Sequence, residues 1–335
     1  MNLSSEKDDL PLVTIVTPSY NQAQFIEETI LSVVNQDYPR IEFLVIDGAS
    51  TDGSQKIIQE YDEEISWWVS EKDSGQSEAV NKGFARSSGE IVGWLNSDDI
   101  YLKDAIRKAV DAFIANPGVG TVYGNMLSID ENTRVFNTIE YDTWQLEDIM
   151  QFRIIGQPAA FVRKEVLERA GYLDPSYHLL LDQHFWVRIA AEGKMLHIDE
   201  YLAGARHHSS AKNVSQSPHY HKEVARVVEW MSQSGCLKGL FEKYEGRIRA
   251  GASTFNARYL MDGGLFREAF REYHKAIRYY PPVPLREIRR ILFAFFSQYV
   301  RIDFVKSRYL RNREKNLDNS RFKDLLSVAR NRNTE

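Results

Sequence analysis

The chain has 335 residues, is 43% hydrophobic and carries a formal net charge of −5, enough to bury a core for one large domain plus a smaller addition. Cys236 is its single cysteine, which excludes an internal disulfide and fits a reducing compartment, with the cytoplasm as the expected location. The charge is uneven: residues 284–315 hold nine Lys/Arg against three Asp/Glu, a local +6 that leaves −11 elsewhere. The acidic body argues against nucleic-acid binding, and the basic tail fits an anionic surface such as a membrane leaflet, with the chain peripheral at the inner face of the cell membrane. Residues 1–10 are polar and acidic, without the pattern of a signal peptide. The longest apolar run, 291–296, is far short of the ~20 residues that span a bilayer.

Short β-branched runs at 12–17, 43–47, 91–95 and 121–123 predict strands. Between them, Phe25, Ile26, Thr29, Ile30, Val33 and Val34 recur at helical spacing, as do Ile57, Ile58 and Tyr61. The alternation predicts an α/β fold, Rossmann-like, with a mainly parallel sheet. Each strand ends beside a polar loop: Ser19-Tyr20-Asn21, Asp47-Gly48-Ala49-Ser50, and Asn96-Ser97-Asp98-Asp99. Open α/β sheets bind ligands at the carboxyl ends of their strands, so these loops are expected to face one cleft. A hairpin at 126–139 and helices at 163–170 and 181–192 would cover it. From about residue 217 the pattern is helical. Residues 257–281 resemble half of a tetratricopeptide repeat but occur once, which equally fits an ordinary helical hairpin. The expected division is a catalytic domain over 1–215, with a donor half at 1–125 and an acceptor half at 126–215, followed by a helical C-terminal region over 216–335.

The chemistry concentrates first at Asp98 and Asp99. Two carboxylates after an apolar strand supply hard oxygen ligands for Mg²⁺ or Mn²⁺ held jointly with a diphosphate, though either could instead cap the following helix. These residues close a series. Val13 to Asn21, then Val45-Ile46-Asp47-Gly48-Ala49-Ser50-Thr51-Asp52-Gly53, then Asn81-Lys82-Gly83, then Asn96-Ser97-Asp98-Asp99 resemble the successive motifs of family 2 glycosyltransferases. The resemblance runs from about residue 12 to 210 and implies the GT-A fold. It implies that Thr17, Pro18 and Tyr20 line a nucleotide pocket, that Asp47 contacts the base or ribose, and that Asp73, Lys82, Asn96, Ser97 and Asp98 belong to the donor site. Local alternatives stay open: a tight turn for Asp47-Gly48, an Asx-turn or cap for Asp52, and a Lys82–Glu78 pair at i, i+4. Many relatives have an aspartate where this chain has Asn96, which shifts metal binding toward Asp98.

A second constellation, Gly171-Tyr172-Leu173-Asp174 and then Leu181-Asp182-Gln183-His184-Phe185-Trp186-Val187-Arg188, resembles the acceptor-side motif of the same family. The resemblance implies that Asp182 is the general base that takes the acceptor's proton. The competing account is a helix N-cap; Asp174 and Glu192 are the next candidates for the base. Gln157, in Gly156-Gln157-Pro158, and Trp186 are expected on the acceptor side, although a turn also explains Gln157 and core packing also explains Trp186. His208, two residues after Arg206, is expected to complete the metal site with Asp98 and Asp99. The implied function is inverting transfer from a nucleotide diphosphate sugar, a UDP-sugar by resemblance, to a glycan or lipid-linked acceptor in cell-surface polysaccharide synthesis. A non-catalytic nucleotide-sugar or glycan binding module, with the C-terminal helices as a docking surface, is the alternative. Nucleotidyl transfer lacks its glycine-rich phosphate loop here. Residues 285–310, with Ile288, Ile291, Leu292, Phe295 and Phe296 among basic residues, are expected either to lie on an anionic membrane or to pack on the catalytic domain.

Overall fold

In the computed structural model, residues 10–208, 219–297, 317 and 319–329 are described. Strand β1 (Val13–Ser19) is buried at every position, its threonines and Ser19 included, as a strand covered on both faces is. It pairs in parallel with β2 (Ile41–Asp47) on one side and β4 (Ile91–Trp94) on the other, and β2 pairs in parallel with β3 (Trp67–Ser70). The register sets Ser19 opposite Asp47 and Asp47 opposite Ser70, so the polar loops after three strands emerge side by side. The crossover helices are α1 (Ile26–Val34), α2 (Ser54–Glu60) and α3 (Gln76–Arg86). The Glu27 and Glu28 carboxylates lie in the first turn of α1, where the helix dipole favours negative charge.

The expected parallel character belongs to this half. Beyond it follow β5 (Ile100–Tyr101), α4 (Ala105–Ala115), β6 (Val119–Ile129), β7 (Val135–Ile139), α5 (Leu146–Met150), β8 (Ala160–Arg163), α6 (Lys164–Ala170), α7 (Leu181–Glu192) and β9 (Lys194–Arg206). Strand β8 runs antiparallel between β4 and β6, and β9 is parallel to β6 and antiparallel to β5, giving a mixed nine-stranded sheet in the order β3-β2-β1-β4-β8-β6-β9-β5, with β7 on β6. The hairpin expected at 126–139 is β6–β7, with Met126 opposite Ile139.

The C-terminal helices are α8 (Tyr220–Gln233), α9 (Lys238–Asp262), α10 (Phe266–Tyr279), the short α11 (Pro282–Leu285) and α12 (Ile288–Ser297). One core runs through both regions: Tyr220, Val224, Val227, Met231, Ile248 and Phe255 share a cluster with Phe84, Tyr177 and Phe185. Helix α9 crosses the chain after α5 at Gly251, where a Cβ would overlap the Gln151 carbonyl. Helices α9 and α10 form the helical hairpin, and α12 closes on it through Ile291 and Ala294. Residues 319–329 then return to the sheet. Leu326 and Ala329 pack on Ile100, Leu127 and Val135, and Lys103 N–H donates to the Leu325 carbonyl at 2.9 Å.

Candidate active site

The cleft forms where the loops after β1 to β4 meet. Asp47 is fully buried, and its carboxylate accepts Ser50 N–H at 2.9 Å and the Ser50 and Ser70 hydroxyls at 2.5 Å each. The Ser50 bonds organise the loop, as in the tight-turn account, and the Ser70 bond ties it to the end of β3. Asp52 likewise ties its loop together: it accepts Ser54 N–H at 3.0 Å, the Ser54 hydroxyl at 2.6 Å and Ala23 N–H at 2.9 Å. Burial opposes its ionisation, but the Ser54 and Ala23 bonds prevail and hold it below the usual carboxylate range. Thr17 and Pro18 are buried at the end of β1, with the Thr17 hydroxyl lacking a hydrogen-bond partner among the described residues, while Tyr20 stands 63% exposed at the mouth.

Asp73 is half-buried beside Gly48, where a Cβ would come within 2.8 Å of its carboxylate; the glycine permits this approach. Burial raises the Asp73 pKa against the lowering pull of Gly75 N–H, which donates at 2.9 Å. Lys82 pairs with Glu71 rather than Glu78, because Glu78 accepts Ser74 N–H at 2.8 Å and the Ser74 hydroxyl at 2.6 Å at the start of α3.

Asn96 is the hub of the next loop. Its Oδ1 accepts Gln76 Nε2 at 2.8 Å and Trp94 Nε1 at 3.0 Å, and its Nδ2 donates to Gln157 Oε1 at 2.9 Å and Asp99 Oδ2 at 3.2 Å. An amide can donate to a neighbouring carboxylate where an aspartate could not. Gln157 is buried and also donates to the Trp94 carbonyl, which ties it into this network. Ser97 is buried beside it.

The two aspartates divide their duties. Asp98 is part-exposed and lies 3.0 Å from His208 Nε2. Asp99 turns inward, its Oδ1 accepting Arg206 N–H at 2.9 Å; burial, then the Asp98 charge, push its pKa far above the carboxylate range. The expected three-ligand set is therefore not assembled. No group of three or more His, Cys, Asp or Glu side chains suited to a metal occurs among the described residues. Asp98 and His208 do converge, and one oxygen and one nitrogen fit a cation that takes its remaining ligands from a diphosphate and water. Arg206, its side chain inaccessible, braces the pair by donating from Nε to the Asp98 carbonyl at 2.9 Å and from Nη2 to Glu28 at 2.7 Å.

Asp182 occupies the first turn of α7, with Leu180 at the N-cap position. Its Oδ1 accepts Gln183 N–H at 2.7 Å, and burial pushes its pKa up to about 6 against that bond. The preceding segment, Pro175, Tyr177, His178 and Leu181, faces residues 74–78 across a narrow cleft, which brings the α7 start to the donor-side loops. Trp186, one turn after Asp182, is 4% exposed and packed into the core, so the core-packing account holds for it and the expected acceptor contact is not offered by this arrangement. Arg188 is a scaffold residue, donating to the Ala170, Gly171 and Tyr172 carbonyls at 2.8, 3.1 and 2.7 Å. Of the reserve bases, Asp174 accepts Ser176 N–H and Glu192 pairs with Arg169. Sequence reasoning passed over Glu223, which accepts three backbone amides ahead of Asp182. Its signal was an acid inside the apolar stripe Tyr220, Val224, Val227 and Met231.

The sheet order and the cleft at its strand ends define a GT-A α/β protein. Solved structures agree in fold: S. aureus TarS 1-349 in complex with UDP-GlcNAc superposes with a TM-score of 0.57, 17% identity and coverage of 90% of this chain and 92% of that one. Mannosyltransferase PcManGT from Pyrobaculum calidifontis, in complex with GDP-Man and Mn²⁺, gives a TM-score of 0.57 at 21% identity, covering 95% and 88%. The model of glycosyl transferase family 2 matches residues 14–170. TuaG of Bacillus subtilis (strain 168), a glycosyltransferase assigned to teichuronic acid biosynthesis, is 30% identical over 188 residues, 55% of this chain and 73% of that protein. The chain belongs to glycosyltransferase family 2. None of the helices among the described residues is long and apolar enough to cross a membrane.

Proposed function

We propose that this glycosyltransferase moves a sugar from a nucleotide diphosphate donor, a UDP-sugar by resemblance, to a hydroxyl of a glycan or lipid-linked acceptor, with inversion. The observation that carries the reading is the place of Asp182 at the start of α7, directly after Leu181, which lines the narrow cleft with residues 74–78; burial there raises its pKa to about 6. In the reaction, Asp182 takes the acceptor hydroxyl's proton, the acceptor oxygen bonds to the anomeric carbon, and the bond to the diphosphate breaks with its electron pair leaving on the diphosphate. Asp98 and His208 would hold Mn²⁺ or Mg²⁺, whose chemistry is to neutralise charge on that leaving group. Thr17, Pro18, Tyr20, Asp73, Lys82 and Ser97 surround the donor, and Asn96 and Gln157 fix the loop that carries Asp98.

Similarity to TuaG supports a role in cell-surface polysaccharide synthesis. The test is incubation with UDP-, GDP- and dTDP-sugars and Mn²⁺ while following donor turnover. Turnover of one donor supports the function, and none across the panel counts against it.

Helix α12 supports contact with an anionic membrane. Its outer face exposes Ile288, Leu292 (48%) and Phe296 (62%), flanked by exposed Arg286 and Arg289, while Ile291 and Ala294 pack inward on the helical hairpin. Apolar anchors among arginines suit an interfacial helix on anionic lipid. Helix α12 covers part of the 285–310 segment, and positions 298–310 lie outside the described residues.

A further inference from the structure

Helix α7 begins without a capping side chain of its own, because Leu180 stands at the N-cap position. The amide groups ahead of it are not left to water. Glu223 of α8, 43 residues away from Leu180 in sequence, accepts His178 N–H at 2.9 Å on Oε1 and both Leu179 and Leu180 N–H at 2.8 Å on Oε2. A carboxylate that gathers the amides of the N-cap residue and the two residues before it fixes the segment entering the helix and sets negative charge near its N-terminus. The grip continues along α8. Arg226 donates to the Ser176 carbonyl at 2.9 Å and to its hydroxyl at 2.8 Å, and Trp230 meets the His184 ring edge-on at 4.4 Å.

Asp182 lies two residues beyond the last gripped amide. Facing it from α8 are Tyr220 and Glu223, and from α9 Tyr259, whose ring stacks on Tyr220 at 3.9 Å. On α7 itself the Gln183 amide donates to it.

We propose that Glu223 is the positioning residue for the base: α8, the first C-terminal helix, fixes the start of α7 so that Asp182 meets the acceptor in a single orientation. This rests on Asp182 being the base. With the entering segment held from α8, Asp182 is fixed at the start of α7, where its Oδ1 accepts the Gln183 amide. The Glu223 charge also adds to the effect of burial in raising the Asp182 pKa.

The experiment compares the full chain with Glu223→Gln, Glu223→Ala and Arg226→Ala, the last being a control that loosens the same segment one turn away. UDP affinity with Mn²⁺ is measured by calorimetry, and kcat and its pH dependence with the sugar donor that is turned over. Glu223→Ala is expected to lower kcat about 10- to 100-fold with UDP affinity unchanged, as small misplacements of a catalytic group do. Glu223→Gln keeps the length and part of the acceptor capacity, so it should lose less and should move the acid limb of the kcat profile to lower pH, since a negative neighbour has been removed. Arg226→Ala should lower the melting temperature while leaving that limb in place. Wild-type kcat in folded Glu223→Ala, or an unmoved limb in Glu223→Gln, overturns the proposal. Should the alanine variant fail to fold, the glutamine variant decides. Asp182→Asn is run in parallel: a normal rate there sinks the assignment of the base, whereas a collapsed rate with unaffected Glu223 variants sinks the positioning role alone.

Discussion

Replacing Asp182 with asparagine separates a base from a structural carboxylate, because the two roles move stability and turnover in different directions. Burial raises its pKa from 3.8 to about 6. A raised folded-state value means that the native protein binds the proton more tightly than the unfolded chain. This carboxylate is therefore neutral to stability below about pH 4, and costs stability progressively as pH rises toward 6 and above. At 1.36 kcal/mol per unit the ceiling is about 3 kcal/mol. Partial solvent access lowers it to about 1–2 kcal/mol. The amide introduced by Asp182→Asn carries no such charge, so the variant should melt higher than wild type at pH 8 and equal to it near pH 4. Turnover should move oppositely. The asparagine cannot take the acceptor's proton, and kcat should fall by about 10²- to 10⁴-fold at saturating donor while nucleotide affinity holds. Wild-type kcat should rise through a limb near pH 6 that the variant lacks. Melting curves by scanning fluorimetry from pH 4 to 8.5, with kcat over the same range, test both. A variant that melts lower throughout and turns over normally would refute the assignment.

Asp98→Ala and His208→Ala should each weaken metal-dependent donor binding and turnover without unfolding the chain, and EDTA should mimic them; undiminished turnover in EDTA would contradict a metal at this pair. Asn96→Asp should destabilise the protein by about 1–3 kcal/mol at neutral pH, since it removes donors to Gln157 and Asp99 and sets a third carboxylate beside Asp98, and equilibrium unfolding in urea would measure it. Trp186→Phe should cost stability with little change in KM for any acceptor, because the side chain is walled into the core; a selective rise in acceptor KM would restore it to the acceptor site. Phe296→Asp with Leu292→Asp should abolish sedimentation with anionic phosphatidylserine vesicles at low salt and leave donor turnover in solution intact.

The parallel half of the sheet and the place of the cleft were legible in the order of residues alone. Strands such as 13–19 and 41–47 are rich in β-branched and apolar residues, and polar loops such as Asn96-Ser97-Asp98-Asp99 directly follow strands of this kind, so local pattern and strand polarity suffice. Helix α7 and the β6–β7 hairpin were equally legible, being periodic and local. The division of labour within the motifs was not, because it depends on where a side chain points once the chain is packed. Asp47 and Asp98 are both aspartates at strand ends, yet one is buried against Ser50 of its own loop and Ser70 of the next strand, and the other meets His208, 110 residues away. Trp186 and Asp182 stand one turn apart on the same helix, and only the packing of the core shows that the first is walled in while the second stays part-exposed at the helix start. The return of residues 319–329 to the sheet edge and the hold of Glu223 on residues 178–180 were beyond reach of the sequence for the same reason. Both join segments distant in sequence, and such contacts are fixed by the packing of the whole core, not by propensity or spacing along the chain.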